Sequence, residues 1–283
     1  MTPLVTAAVL AAAVLHASWN AIAHGIKDQL LAFTLVGAGE LAVVGVLVWF
    51  VPLPAAAAWP YLIASVLIHL LYMLLLMRSF ELGDFGQVYP IARGTAPLVV
   101  TVLALVFVGE RPDARQTAGV AAAGAGLMGL ALWDARGSGA RPRRAAVVAA
   151  VGTGLAIASY TVVDGLGVRA AGTALGYTAW LLMLQSLPIP LYALAARRGE
   201  LLAGVRPFVV RGLLGGALST VAYGLVLWAQ TRAPLAPVAA LRESSVVVGA
   251  AIGALVFKER FGAPRVAAAT LMAAGIALML RAG

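Results

Sequence analysis

Ten apolar runs fill this chain, each close to the length a helix needs to cross a bilayer, about 20 residues. They lie at roughly 3–23, 30–51, 60–80, 86–108, 114–133, 145–163, 174–195, 212–230, 234–257 and 263–281. In hydrocarbon only helices and closed barrels satisfy their own backbone. A barrel strand would alternate apolar and polar residues, and these runs are continuous. Composition agrees: 62% of residues are hydrophobic and 11% charged, against about 45–50% and about 25% in a soluble domain. So little polar surface cannot cover a water-facing globule, which excludes a soluble enzyme. No basic residue precedes the first run and further spans follow it, so it is expected to be a retained helix rather than a signal peptide. The expected fold is an all-α membrane protein with ten transmembrane helices.

The longest polar stretch, Asp134 to Arg144, falls between the fifth and sixth runs. It divides the chain into 1–133, a linker at 134–144, and 145–283. Sliding the second part by 149 residues puts Arg93 on Arg242, Val99 on Val248, Glu110 on Glu259, Arg111 on Arg260 and Gly126 on Gly275. Each half therefore carries an arginine, an almost wholly apolar stretch of 16 residues, and Glu-Arg. Five spans per half is an odd number, so the second half must enter the membrane from the opposite side. Two inverted five-helix repeats are the architecture of alternating-access transporters, with a site near the midplane between them.

Several motifs resemble those of a known family. Tyr89-Pro-Ile-Ala-Arg-Gly-Thr-Ala-Pro97 and Gly109-Glu-Arg-Pro112 resemble the fourth helix and following loop of the EamA family, within the drug/metabolite transporter superfamily. Ala240-Leu-Arg-Glu-Ser-Ser245 with Lys258-Glu-Arg260 is similar to its second copy, and Leu15-His-Ala-Ser-Trp-Asn20 to its first-helix motif. The resemblance implies a ten-helix basket that exports or exchanges small metabolites or drugs by alternating access. The related small multidrug-resistance proteins carry a membrane glutamate in the first helix. Here that run offers His16 and Asn20 instead, so their proton mechanism is not carried over.

Polar side chains within spans are costly in hydrocarbon, and ionisable ones mark function by default; the competing role is hydrogen bonding between helices. His16, Trp19 and Asn20 share one helix face, with Ser159, Tyr160 and Thr161 as rough counterparts in the second half. Glu40 lies near the centre of run two, opposite Gln185 in the repeat. An ionised carboxyl there carries a large desolvation cost, which suits a proton carrier. His69 and Tyr72 are three apart in run three. Arg93 lies inside run four with Tyr89 one turn before it, and Pro90 and Pro97 should kink that helix. Arg242 is its repeat partner, followed by Glu243, whose side chain points about 100° away on a helix. Tyr223 is deep enough to line a cavity. The substrate-contacting candidates are thus His16, Trp19, Asn20, His69, Tyr72, Tyr89, Arg93, Tyr160, Tyr223 and Arg242, and the proton-coupling candidates Glu40 and Glu243. Arg93, Arg242, Glu40 and Glu243 sum to zero charge. Glu110-Arg111 and Glu259-Arg260, at helix ends, read as interfacial anchors and loop caps.

Two separated histidines make no metal site, cysteine is absent, and no phosphate loop follows the glycines of run five. No cofactor is expected. The net charge of +9 is scattered between apolar runs, as bilayer flanks require, so no nucleic acid is expected. The expected partners are the lipid bilayer and a small-molecule substrate, with room for a homodimer. Only Lys27 and Lys258 among 20 basic residues are lysine. With abundant alanine, this points to a GC-rich bacterium and so to a multi-pass protein of its cytoplasmic (inner) membrane. Neither a membrane serine-protease motif nor His-Glu-x-x-His is present, so no enzyme is expected. A membrane sensor or partner subunit, or a lipid-modifying enzyme, is the alternative to a transporter.

Overall fold

The computed structural model describes residues 1–24, 26, 28–82, 85–137, 144–255 and 263–280, and all the regular structure among them is helical. Lys258, Glu259 and Arg260 of the second repeat motif, and 138–143 of the expected linker, lie outside the described residues. The helices are α1 (Pro3–His24), α2 (Gln29–Leu47), α3 (Trp59–Leu82), α4 (Phe85–Leu103), α5 (Ala114–Gly137), α6 (Arg144–Ala170), α7 (Ala174–Gln185), α8 (Pro188–Val205), α9 (Val209–Gln230), α10 (Leu235–Arg242), α11 (Ser244–Leu255) and α12 (Ala263–Leu280). Seven helical segments among the described residues are long and apolar enough to cross a membrane, and Val266–Met279 is a shorter apolar one. The chain is a multi-pass membrane protein.

Helix ends follow local chemistry. Asp28 caps α2 by accepting the Leu31 N–H at 3.2 Å, and Thr173 caps α7 by accepting that of Gly176 at 3.1 Å. Before α5, Asp113 and Gln116 exchange reciprocal bonds: the Gln116 N–H to Asp113 Oδ1 at 2.8 Å, the Asp113 N–H to Gln116 Oε1 at 3.2 Å. This is a capping box.

Two expected runs are broken. Run seven becomes α7 and α8 because Pro188 and Pro190 cannot donate to a continuing ladder, and α8 restarts with Pro188 in its first turn. Run nine breaks at Glu243, whose N–H bonds back only three residues to the Ala240 carbonyl, at 3.2 Å.

The strongest packings are α3 on α6, α5 on α12, α2 and α1 on α9, and α4 on α6. Each joins one half of the chain to the other. Large apolar side chains such as Leu67, Leu71, Leu74, Leu213 and Leu214 face outward, while Glu40, Arg93, Asp164, Arg242 and Glu243 are buried. That inversion suits a lipid surround. At the α2–α9 crossing the backbones touch: a Cβ on Gly216 would fall on the backbone of Gly39 and Glu40, and one on Gly39 on the Gly212 carbonyl. Gly249, by contrast, has open space around it, so it makes no such crossing.

Candidate functional site

A cavity of about 150 Å³ lies in the middle of the helix bundle. It is lined from α1 by His16 and Trp19, from α2 by Phe33 and Glu40, and from α3 by His69 and Tyr72. Arg93, Tyr160, Tyr223 and Arg242 complete the wall from α4, α6, α9 and α10. Leu182, Gln185, Ser186, Pro188 and Ile189 around the α7–α8 break also face it. Runs two and seven thus contribute walls alongside runs one, three, four, six, eight and nine.

One end of the cavity is cationic. The Arg93 Nε lies 2.7 Å from Glu243 Oε2, and its Nη2 donates to Ser245 Oγ at 3.1 Å. The Tyr89 ring sits 5.9 Å from the Arg93 guanidinium carbon; Tyr89 supports the arginine and is not among the cavity-lining residues. Arg242 Nε is 3.9 Å from the other Glu243 oxygen. Glu243 is 0% exposed because the break at the end of α10 turns it inward between the two arginines. Two guanidiniums thus share one carboxylate, and both line the cavity while Glu243 does not.

The other wall is aromatic. His69 stacks on Tyr160 at 3.9 Å between ring centroids and 22° between planes. Tyr223 stands edge-on to His69 at 6.0 Å, and Tyr72 edge-on to Tyr160 at 5.7 Å. His69 Nδ1 lies 2.9 Å from the Ser65 carbonyl oxygen, so that nitrogen is assigned the proton in the neutral ring, leaving Nε2 as an acceptor. His16 and Trp19 meet edge-on at 5.2 Å, and the Trp19 indole N–H has no hydrogen-bond partner among the described residues. Asn20 does not join this wall: its amide donates to the His16 carbonyl at 2.7 Å, closing on its own helix.

Glu40 accepts from the hydroxyls of Ser186, beside the α7–α8 break, and Ser219 of α9. Gln185, which lines the same cavity, has an Oε1 with no hydrogen-bond partner among the described residues.

Sequence reasoning missed Asp164. It is 0% exposed in α6 and accepts from the hydroxyls of Tyr177, at 3.1 Å, and Tyr223. Ser65 is a third donor. The sixth run stops at 163, one residue before Asp164, whereas α6 continues to Ala170. The four-charge balance is corrected accordingly: three buried carboxyls face two buried arginines. Among the described residues no three metal-ligating side chains come together.

Residues 144–281 match the model of the EamA-like transporter family. No curated protein sequence matches the chain. A crystal structure described only as that of a protein superposes with a TM-score of 0.74 at 17% identity, covering 98% of this chain and 96% of that one. That likeness carries the fold alone.

Proposed function

Since residues 144–281 belong to the EamA-like transporter family, a membrane transporter family, we propose that the whole chain is a secondary transporter that exports or exchanges small zwitterionic metabolites through the central cavity by alternating access. The observation that carries this reading is the pair of cavity-lining arginines, Arg93 and Arg242, that share the single buried carboxylate of Glu243. With all three ionised, one positive charge remains for an anionic substrate group. The far wall offers acceptors. The Tyr223 hydroxyl already donates to Asp164, so only its lone pairs remain for the cavity, and His69 Nε2 and Glu40 add to them. An amino acid fits this polarity, with its carboxylate toward Arg242 and its ammonium toward His69, Tyr223 and Glu40.

We further read the architecture as two inverted five-helix repeats, 1–133 and 145–283, joined by 134–144. Most of the packing pairs answer one another under the repeat, while α2 on α9 has a much lighter counterpart in α7 on α3. α3 on α6 corresponds to α9 on α1, α4 on α6 to α10 and α11 on α1, and α5 on α12 to itself. The membrane is read as the bacterial inner membrane.

Glu243 is committed to the arginines, which leaves Glu40 as the proton carrier of the two glutamates expected from the sequence. One of the serines that hydrogen-bond it, Ser186, sits beside the α7–α8 break, where a bend would change its solvation.

The test is uptake of labelled amino acids into inverted membrane vesicles. Arg242→Gln keeps the side chain polar and removes the charge. It is expected to lower flux roughly tenfold to a hundredfold, the worth of one charge-assisted hydrogen bond, at unchanged abundance in the membrane. Glu40→Gln is expected to leave exchange intact and to abolish its response to a proton gradient. Wild-type flux in Arg242→Gln would overturn the site.

A further inference from the structure

Glu110, expected to be an interfacial anchor and loop cap, bonds across the two halves of the chain. The last turn of the fourth run is π-helical, Ala104–Val108, and ends at Gly109 with φ 74°, a left-handed conformation that glycine adopts without strain. The turn carries Glu110 onto the second half. Its Oε2 accepts the N–H of Leu235 at 2.7 Å, one of the N–H groups the first turn of α10 cannot satisfy itself. Its Oε1 accepts from Arg169 Nη2 at 3.1 Å. Arg169, in the last turn of α6, also donates to the carbonyls of Gln230 (2.9 Å) and Ala233 (3.1 Å). One carboxylate and one guanidinium thus tie the ends of α4, α6, α9 and α10 on the side of the molecule where α1 begins.

An apolar layer lies between this tie and the cavity. Ala12 and Val226 line the cavity, and they pack in one buried cluster with Val5, Val9, Ala229 and Leu241, toward the same end. The wall of the cavity on this side is built of apolar side chains. The tie above them is partly exposed, with side-chain exposures of 32% for Arg169 and 17% for Glu110. A pair of that exposure is held weakly enough to break and re-form.

We propose that Glu110 and Arg169 are the latch of a gate at the end of the molecule carrying the N-terminus, closed in this structure and released when the cavity opens to that side. This rests on the alternating-access reading. By the 149-residue offset the equivalent carboxyl of the second repeat is Glu259.

The chain has no cysteine, so a single introduced thiol reports without background. Ala222→Cys places one on the cavity wall, to be labelled with a membrane-impermeant maleimide applied in turn to each face of sealed vesicles. The unmodified latch is expected to favour labelling from the face opposite the N-terminus. Glu110→Gln and, separately, Arg169→Gln are expected to raise labelling from the N-terminal face roughly tenfold, a modest shift of a two-state equilibrium, and to slow it from the other. Glu81→Gln, which breaks the exposed Arg78–Glu81 pair, serves as control and leaves both rates unchanged. Each variant is checked by gel filtration in detergent, and two separate latch variants guard against one that fails to fold. Labelling from both faces that neither latch variant alters would overturn the latch and leave the transport reading standing. Labelling confined to one face in every background would overturn alternating access itself, and the latch with it.

Discussion

Arg93→Ala is expected to abolish transport and to destabilise the protein by about 3–5 kcal/mol, the usual effect of breaking a buried ion pair from one side. The loss comes from what is left behind. Glu243 is 0% exposed, and its other cation, Arg242, is 3.9 Å away against 2.7 Å for Arg93. Adding Glu243→Gln alone would leave the buried Arg242 with no carboxylate, whereas adding Glu243→Gln and Arg242→Gln together removes every remaining charge of the cluster, so the triple variant should recover most of the stability and none of the transport. Thermal unfolding in detergent and amino-acid uptake, measured on the same samples, separate the two effects. A triple variant no more stable than Arg93→Ala would show that the loss has another source.

The second large effect is expected from one methyl group. Gly216→Ala should raise helix propensity by about 1 kcal/mol, yet the added Cβ would fall on the backbone of Gly39 and Glu40. A clash with backbone cannot be relieved by a rotamer, so α9 must lift off α2. The expected net loss is about 2 kcal/mol or more, within and above the common range for overpacking. Because Glu40 sits at this crossing, its bonds to Ser186 and Ser219 should loosen as well. Gly224→Ala on the same helix meets only a Thr178 methyl, at 3.6 Å, and should be neutral. Equal melting temperatures for the two variants would refute the crossing as the cause.

The runs of hydrophobic residues were legible in the sequence because hydrocarbon selects for length and composition, which are local properties. The breaks were less so. Pro188 and Pro190 were visible, but the break at Glu243 follows from where Arg93 sits, 150 residues away, and no window along the chain reports that. Asp164 lies one residue past the end of the sixth run, and what keeps it inside, the hydroxyls of Tyr177 and Tyr223, comes from other helices. Asn20 shares a face with His16 and Trp19, yet short amides also bond their own helix. Which groups Glu110 meets was not legible either, because Arg169 and the Leu235 N–H lie in the other half of the chain.

The Arg93–Glu243 bond also bears on how the protein is made. A ribosome adding about 5–20 residues per second reaches Glu243 many seconds after Arg93 has left it. Through that interval α4 carries a guanidinium with no counter-charge, a condition that costs about 2.5–3.5 kcal/mol at the centre of an inserting helix. The nascent first half therefore has to linger beside the insertion machinery, or let its arginine reach for the headgroups, until the ninth run arrives. Biogenesis of the core is in this sense a C-terminal event, and the earlier spans are provisional until it happens.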